Sequence, residues 1–281
     1  MKIAYLVAAH RNGPQLQRLL RAIDDPDNLY VLHVDRRADR AVHDAARAFA
    51  RGRRNVHVMP SRKIIWGGES LLRVQLAAID VALSADATWQ QFVILSGQCY
   101  PLLPQAAISR ALDAGGVGRN YVEVQDYAKS SPAIRPRTRY WHVEFNGSLL
   151  RVPFFRRPAP SHQLHWGSNF VMLSRGFCDY IFHDPLSARC QDYFTYIKIP
   201  DEFFFQTVLM NSPFQSTLVR DHKRLIIWDG GSPHPRTLTR ADLPALLSSG
   251  AFFARKFDDA ADAAVLDAID RQRLAPRAAA G

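Results

Sequence analysis

Apolar positions along the first hundred residues change period in a regular order. Ile3 to Ala9 is an almost unbroken apolar run of strand length. Leu16, Leu19, Leu20 and Ile23 recur at helical spacing, and Leu29 to Val34 forms a second run that stops at Asp35. A helical stretch over about 39–51, a short strand at Val56–Val58, a longer helix over 69–84 and a buried strand at Phe92–Leu95 follow. This βαβαβαβ series predicts an α/β fold with a mostly parallel central sheet flanked by helices. It places ligands at the carboxyl ends of the strands.

The polar residues at those ends are therefore the informative ones: His10-Arg11-Asn12, Asp35-Arg36, Trp66-Gly67-Gly68-Glu69-Ser70 and Ser96-Gly97-Gln98-Cys99. No Gly-x-Gly-x-x-Gly follows the first strand and no Walker-type loop occurs, so a bound nucleotide is held by other means. Asp35 suits a ribose or base contact and equally suits a helix cap.

Beyond residue 115 the periodicity weakens. Gly115-Gly116, many prolines and an Arg-rich aromatic stretch to about 165 read as an excursion over the sheet edge, the kind of insertion that carries function. A strand at Phe170–Leu173, a helix over 175–183, a helix from Pro200 to about 211 and a strand at Leu225–Trp228 come next, then a turn over Gly230–Pro235. Thr239, with Asp242 three residues on, caps a helix over 239–248, and a last amphipathic helix spans about 259–273 before a frayed tail.

The sharpest chemical feature is Pro200-Asp201-Glu202 followed by Phe203-Phe204-Phe205. Acidic residues after a proline suit an ordinary helix start. The apolar wall also makes a dry setting in which a carboxyl pKa rises toward values useful to a general base.

With 281 residues, 47% hydrophobic and 22% charged, the chain has the composition of a globular protein. The formal charge of +10 favours anionic partners, including a peripheral contact with an anionic membrane. No aromatic-interleaved RNA signature accompanies the basic clusters at 36–37, 51–54, 135–139 and 156–157, so nucleic acid is not expected. The stretch Arg135 to Trp141 sets cations beside aromatics and suits a sugar or an anionic acceptor. Cys99, Cys178 and Cys190 share no metal or redox spacing. With no span-length apolar run and no cleavage region, the expected location is cytoplasmic, with contact at the inner membrane face.

Taken in order, Ala4 to His10, Leu19 to Ile23, His33-Val34-Asp35, Leu95-Ser96-Gly97 with Tyr100-Pro101-Leu102, Gly167-Ser168, Leu173-Ser174-Arg175, Pro200-Asp201-Glu202 and Phe253 to Asp258 resemble the core-2 and I-branching β-1,6-N-acetylglucosaminyltransferases and the peptide O-xylosyltransferases. The likeness covers about residues 3–265. It implies a GT-A-type Rossmann-like glycosyltransferase that moves a sugar from a UDP-sugar to an acceptor hydroxyl with inversion, with no metal ion or other cofactor. It further implies one domain over 1–273, with a nucleotide-sugar half to about 112, an acceptor and catalytic half after it, and a disordered tail over 274–281.

By the same resemblance Glu202 is the base, and Arg236 and Lys256 neutralise the departing diphosphate. Ala8, His10, Asp35, Trp66 and Gly67 hold the donor, and Asp201, Glu123, Arg135 and Trp228 face the acceptor, a glycan or lipid-linked saccharide. Cys99 stands where the family keeps an Asp. N-acetylglucosamine is the first expectation for the sugar. The alternatives are xylose, glucose or glucuronic acid on the same scaffold, or a binding protein without catalysis.

Overall fold

The computed structural model describes residues 1–156, 161–229 and 234–274. Its strands are β1 (Ile3–Ala9), β2 (Leu29–Val34), β3 (Val56–Val58), β4 (Gln91–Ser96), β5 (Tyr100–Pro101), β6 (Asn120–Tyr121), β7 (Gln125–Asp126), β8 (Tyr140–Phe145), β9 (Ser148–Arg156), β10 (His165–Trp166), β11 (Met172–Ser174), β12 (Leu218–Val219), β13 (Arg224–Ile226) and β14 (Phe253–Arg255). The helices are α1 (Gly13–Ala22), α2 (Arg40–Ala50), α3 (Glu69–Ala85), α4 (Gln105–Gly115), the single turn α5 (Pro136–Arg139), α6 (Arg175–His183), α7 (Pro185–Phe194), α8 (Phe204–Met210), α9 (Leu243–Ser248) and α10 (Asp259–Ile269).

The central sheet runs β12-β6-β11-β4-β1-β2-β3. β4, β1, β2 and β3 are parallel neighbours, while β11 lies antiparallel between β4 and β6. This is the α/β architecture with a mostly parallel sheet expected from the alternating pattern, and the GT-A-type fold that the resemblance implies; its first three helices follow their strands as the crossovers of a parallel sheet require. β1 and β2 are buried on both faces, which is why they read as continuous apolar runs. β13, β14 and β5 form a separate three-stranded sheet, and just after β14 the Phe257 N–H donates to the Gln98 carbonyl at 3.0 Å, which brings Lys256 to the loop at the carboxyl end of β4.

Several elements differ from the sequence expectation. Residues 115–165 are not one excursion over the edge: β6 joins the central sheet and β8–β9 form a long hairpin. A two-residue strand is too short to show alternation, so the pattern is silent there. The strand read at 170–173 is set two residues later, and the one at 225–228 starts at Arg224 and lies outside the central sheet. The single helix read from Pro200 is a 3₁₀ turn over Pro200–Glu202 and then α8, broken at Phe203 with φ −123° and ψ −38°. Residues 230–233 of the turn expected over Gly230–Pro235, Arg157 of the 156–157 cluster, and residues 275–281 of the expected tail lie outside the described residues.

Candidate active site

Glu202 owes its position to the turn before it. Ile199 adopts φ 58° and ψ 57°, a left-handed conformation that a β-branched residue enters at a cost of about 1–3 kcal/mol. Its N–H donates to the Gly67 carbonyl at 2.6 Å, which ties this turn to the end of the Trp66-Gly67 loop. From the other side the Gly167 N–H donates to the Glu202 carbonyl at 2.9 Å. Gly167 is required there, because a Cβ would fall 2.0 Å from the Glu123 carbonyl oxygen. Gln206 Nε2 donates to the Ser168 carbonyl at 2.7 Å and Asn169 Nδ2 to Asp201 Oδ2 at 2.8 Å. Gly167-Ser168 and Pro200-Asp201-Glu202, far apart in sequence, are thus one braced unit.

Behind the turn, Phe203, Phe204 and Phe205 are fully buried. Burial raises the Asp201 pKa to about 6. Burial, with the neighbouring Asp201 charge, raises Glu202 to about 7, although Arg137 works against the shift. Arg137 Nη1 donates to Glu202 Oε2 at 2.6 Å. Asp201 is spent on Asn169 and closed to solvent, whereas the Glu202 side chain keeps 28% of its exposure. Of the two carboxylates, Glu202 is the one a substrate can reach.

Arg137, His142, Leu149, Arg151, Lys198 and Trp66 line a cleft of about 580 Å³ beside this carboxylate. Its wall is the β8–β9 hairpin. Glu144 of that hairpin accepts from the Ser70 N–H at 2.8 Å and so caps α3. Gly68 makes room for it, since a Cβ would meet Glu144 Oε1 at 2.1 Å. Trp66, 61% exposed, meets the His234 ring at 5.7 Å.

Of the expected donor-side residues, Ala8, His10 and Asp35 gather at the carboxyl ends of β1 and β2 next to that of β4, whereas Trp66 and Gly67 stand at the cleft with Leu149 and Lys198. The Ala8 carbonyl accepts from Gly97 and the Ala9 carbonyl from Asp35, at 2.9 and 2.8 Å. Asp35 is buried, but both carboxylate oxygens are engaged: Arg37 donates from Nε at 3.1 Å and Nη2 at 3.0 Å, and the Ile64 N–H donates at 3.0 Å. Burial opposes ionisation of Asp35, yet these hydrogen bonds outweigh it and pull the pKa down to about 2.

His10 lies within electrostatic range of Arg11, Asp35, Lys256 and Arg255. Gln15, 1% exposed, fixes this convergence by donating to the Gly97 and Phe257 carbonyls at 3.1 Å each, while its Oε1 accepts from the Asp259 N–H at 2.9 Å. Burial, then Arg11 and Arg255, lowers the Lys256 pKa. That crowding of cations suits a polyanion.

Arg236 lies two residues before Leu238, whose N–H donates to the Lys256 carbonyl at 2.8 Å, and its own N–H donates to the Ile227 carbonyl at 2.9 Å. Its guanidinium is held by Asp242 at 3.1 and 2.6 Å and by Asp229 at 3.3 Å, which leaves part of its donor set for a ligand. Trp228, two residues beyond the end of β13, is 57% exposed. Glu123 lies 3.8 Å from His222, whose pKa is lowered chiefly by burial, and accepts from Gln125 at 3.0 Å. Arg135 is directed at the Ala128 carbonyl, 3.4 Å away, so it is Arg137 of the Arg-rich stretch that reaches Glu202.

Cys99 is buried, with its sulfur 3.4 Å from the Ser96 N–H and facing Arg224 and Arg255. Arg224 is 5% exposed, donates to the Ile94 carbonyl at 2.9 Å and lies 5.0 Å from the rings of both Phe170 and Phe253. Its Nε and Nη1 and the Arg255 Nε find no hydrogen-bond partner among the described residues.

Arg137, Gln15 and Arg37 emerge only from the structure. The Arg-rich stretch carries a signal for Arg137, while Gln15 is one polar position in a helical pattern and gives none.

Residues 3–248 match the family model described as Core-2/I-Branching enzyme. The chain belongs to that family. It is 31% identical over 296 aligned residues to xylosyltransferase 2 of Homo sapiens, covering 96% of this chain and 33% of that protein, and 30% identical to its Rattus norvegicus counterpart over the same shares. The chain therefore spans about a third of the curated relatives it matches. Among solved structures, mouse xyloside xylosyltransferase 1 in its apo form aligns over 90% of this chain and 97% of that one, at 12% identity and a TM-score of 0.42. Among the described residues, no helix is long and apolar enough to cross a membrane.

Proposed function

We propose that the chain transfers a sugar from a UDP-sugar to a saccharide hydroxyl with inversion and without a metal ion. The observation that carries this reading is Glu202: a partly accessible carboxylate with its pKa raised to about 7, paired with Arg137 at the mouth of a cleft. A base poised near neutrality suits removal of an acceptor proton. In the reaction the acceptor oxygen attacks the anomeric carbon from the face opposite the diphosphate and its proton passes to Glu202. The anomeric C–O bond breaks, and UDP leaves with the electron pair. Lys256, with Arg11 and Arg255 near it, supplies fixed positive charge where the diphosphate gains its negative charge, and Arg236 adds to it from the segment bonded to the Lys256 carbonyl. A charge of that kind placed in advance replaces the part a cation plays in other transferases.

Xylose joins N-acetylglucosamine as the leading donor sugar because the relatives aligned over nearly the whole chain are xylosyltransferases. The +10 charge supports peripheral contact with an anionic membrane. The test is a panel of UDP-xylose, UDP-N-acetylglucosamine, UDP-glucose and UDP-glucuronate with the purified chain in EDTA, read by thermal shift and UDP release. A selective shift with UDP release names the donor. If the panel stays silent in EDTA and responds only with Mn²⁺ present, the metal-free mechanism is wrong.

A further inference from the structure

The cleft beside Glu202 is unbalanced in charge. Arg137 has Glu202 as its counter-ion, but Arg151 and Lys198 have no carboxylate partner among the described residues, and the residues lining the cleft include no Asp or Glu. These cations come from different elements and are held in place. The Lys198 N–H donates to the Arg137 carbonyl at 2.9 Å, and the His142 N–H to the Tyr196 carbonyl at 2.8 Å, which fastens the β8–β9 hairpin to the segment that carries Lys198. Arg151 lies 5.1 Å from the Tyr140 ring and Lys198 Nζ 5.8 Å from the Trp66 ring, so both rest on aromatic surface rather than reaching freely into solvent. Burial and the same two cations lower the His142 pKa, against the hydrogen bond to the Tyr140 carbonyl.

Solvated surface cations spread apart. Two that converge in a concave site without a counter-ion repel one another, and an anion from outside relieves that repulsion. The exposed Trp66 ring beside them offers a face for sugar C–H groups, and a volume of about 580 Å³ suits one or two sugar rings.

We infer that this cleft takes an acidic saccharide, one carrying a carboxylate or phosphate group, with its ring on Trp66 and its anionic group on Arg151 and Lys198. This rests on the transfer reading above and names the class of acceptor for that site. The anionic group on Arg151 and Lys198 holds the neighbouring sugar beside Arg137, which brings an acceptor hydroxyl to Glu202.

The test measures binding in the Glu202→Gln variant, where no turnover intervenes, by calorimetry in low salt. The probes are hyaluronan tetrasaccharide, its carboxyl-reduced neutral counterpart, maltotetraose with and without a 6-phosphate, and a hexaglutamate peptide. The expected result is at least tenfold tighter binding of one acidic saccharide than of its neutral counterpart. The carboxylate and phosphate arms show which anion is read, and the preference shrinks as salt rises. The double variant Arg151→Ala/Lys198→Ala, at exposed or half-buried positions, should keep its melting temperature and its UDP affinity while losing that preference. Equal binding of acidic and neutral saccharides, preference for the peptide, or a preference that survives the double variant overturns the inference. UDP-sugar binding is measured separately, so a donor failure and an acceptor failure are told apart.

Discussion

Arg137 Nη1 stands 2.6 Å from Glu202 Oε2, joining a cation that lines the cleft to the carboxylate that the proposed chemistry uses as its base. The pair works against the strongest force on Glu202. Burial and Asp201 push its pKa up to about 7, and Arg137 holds it from rising further. Arg137 thereby favours the ionised form of the carboxylate, the form that accepts a proton.

Arg137→Ala should therefore move the acid limb of the pH profile of kcat/KM to higher pH, because removing the cation disfavours the charged carboxylate. Arg137→Lys should fall between the variant and the parent. A limb that stays in place in both variants means that Arg137 does not tune Glu202.

Lys256→Ala removes one charge from the cluster with Arg11 and Arg255. A charge-assisted hydrogen bond is worth about 1.5–3 kcal/mol, so UDP binding should weaken by roughly ten- to a hundredfold, with transfer slowed as well. Calorimetry with UDP checks it. Unchanged affinity removes Lys256 from the diphosphate site.

Cys99→Asp places a carboxylate against Arg224 and Arg255, whose pKa values are lowered by burial, that of Arg224 to about 10. Pairing them should raise stability by about 2 kcal/mol, or about 4 °C in Tm. The sign follows from the new Asp: paired in the folded state, its pKa is depressed, so the gain is present above the ordinary carboxylate range and is lost as pH falls below it. Thermal melts at pH 7.5 and pH 3.5 check both parts. A lower Tm at neutral pH shows that the pocket does not accept the charge.

How much of this was legible in the sequence depends on how local the physics is. β1, β2 and α1 to α3 follow their apolar periods within a few residues, because burial of both sheet faces and of one helix face leaves a repeating mark. The capping box at Thr239 and Asp242 is present as its spacing predicts. The left-handed Ile199 and the break at Phe203 leave no such mark. They arise because Gly67 and Gly167 grip the turn from two distant loops, and that grip divides the expected helix. α4 and α7 come without an expectation from the pattern. α7 follows α6 across Asp184 alone, so its period merges with its neighbour's. Pro200-Asp201-Glu202 and the phenylalanine wall were readable as a dry acidic pair, but their partner Arg137 required the tertiary fold.

The account turns on Glu202, and the measurement that reaches it most directly compares Glu202→Gln with the parent in transfer, in donor binding and in stability against pH. General-base removal should lower kcat by at least about a hundredfold with UDP-sugar affinity within twofold. Stability adds an independent sign. With the folded-state pKa raised from 4.5 to about 7, the folded chain holds that proton more tightly than the unfolded chain, so Glu202 costs stability as pH rises through this window. The variant should therefore be the more stable protein at pH 8, by on the order of 2 kcal/mol, with the gap closing toward pH 4. Retained transfer, or parallel loss of transfer, UDP-sugar affinity and stability at pH 8, would contradict the account and leave Glu202 a structural residue.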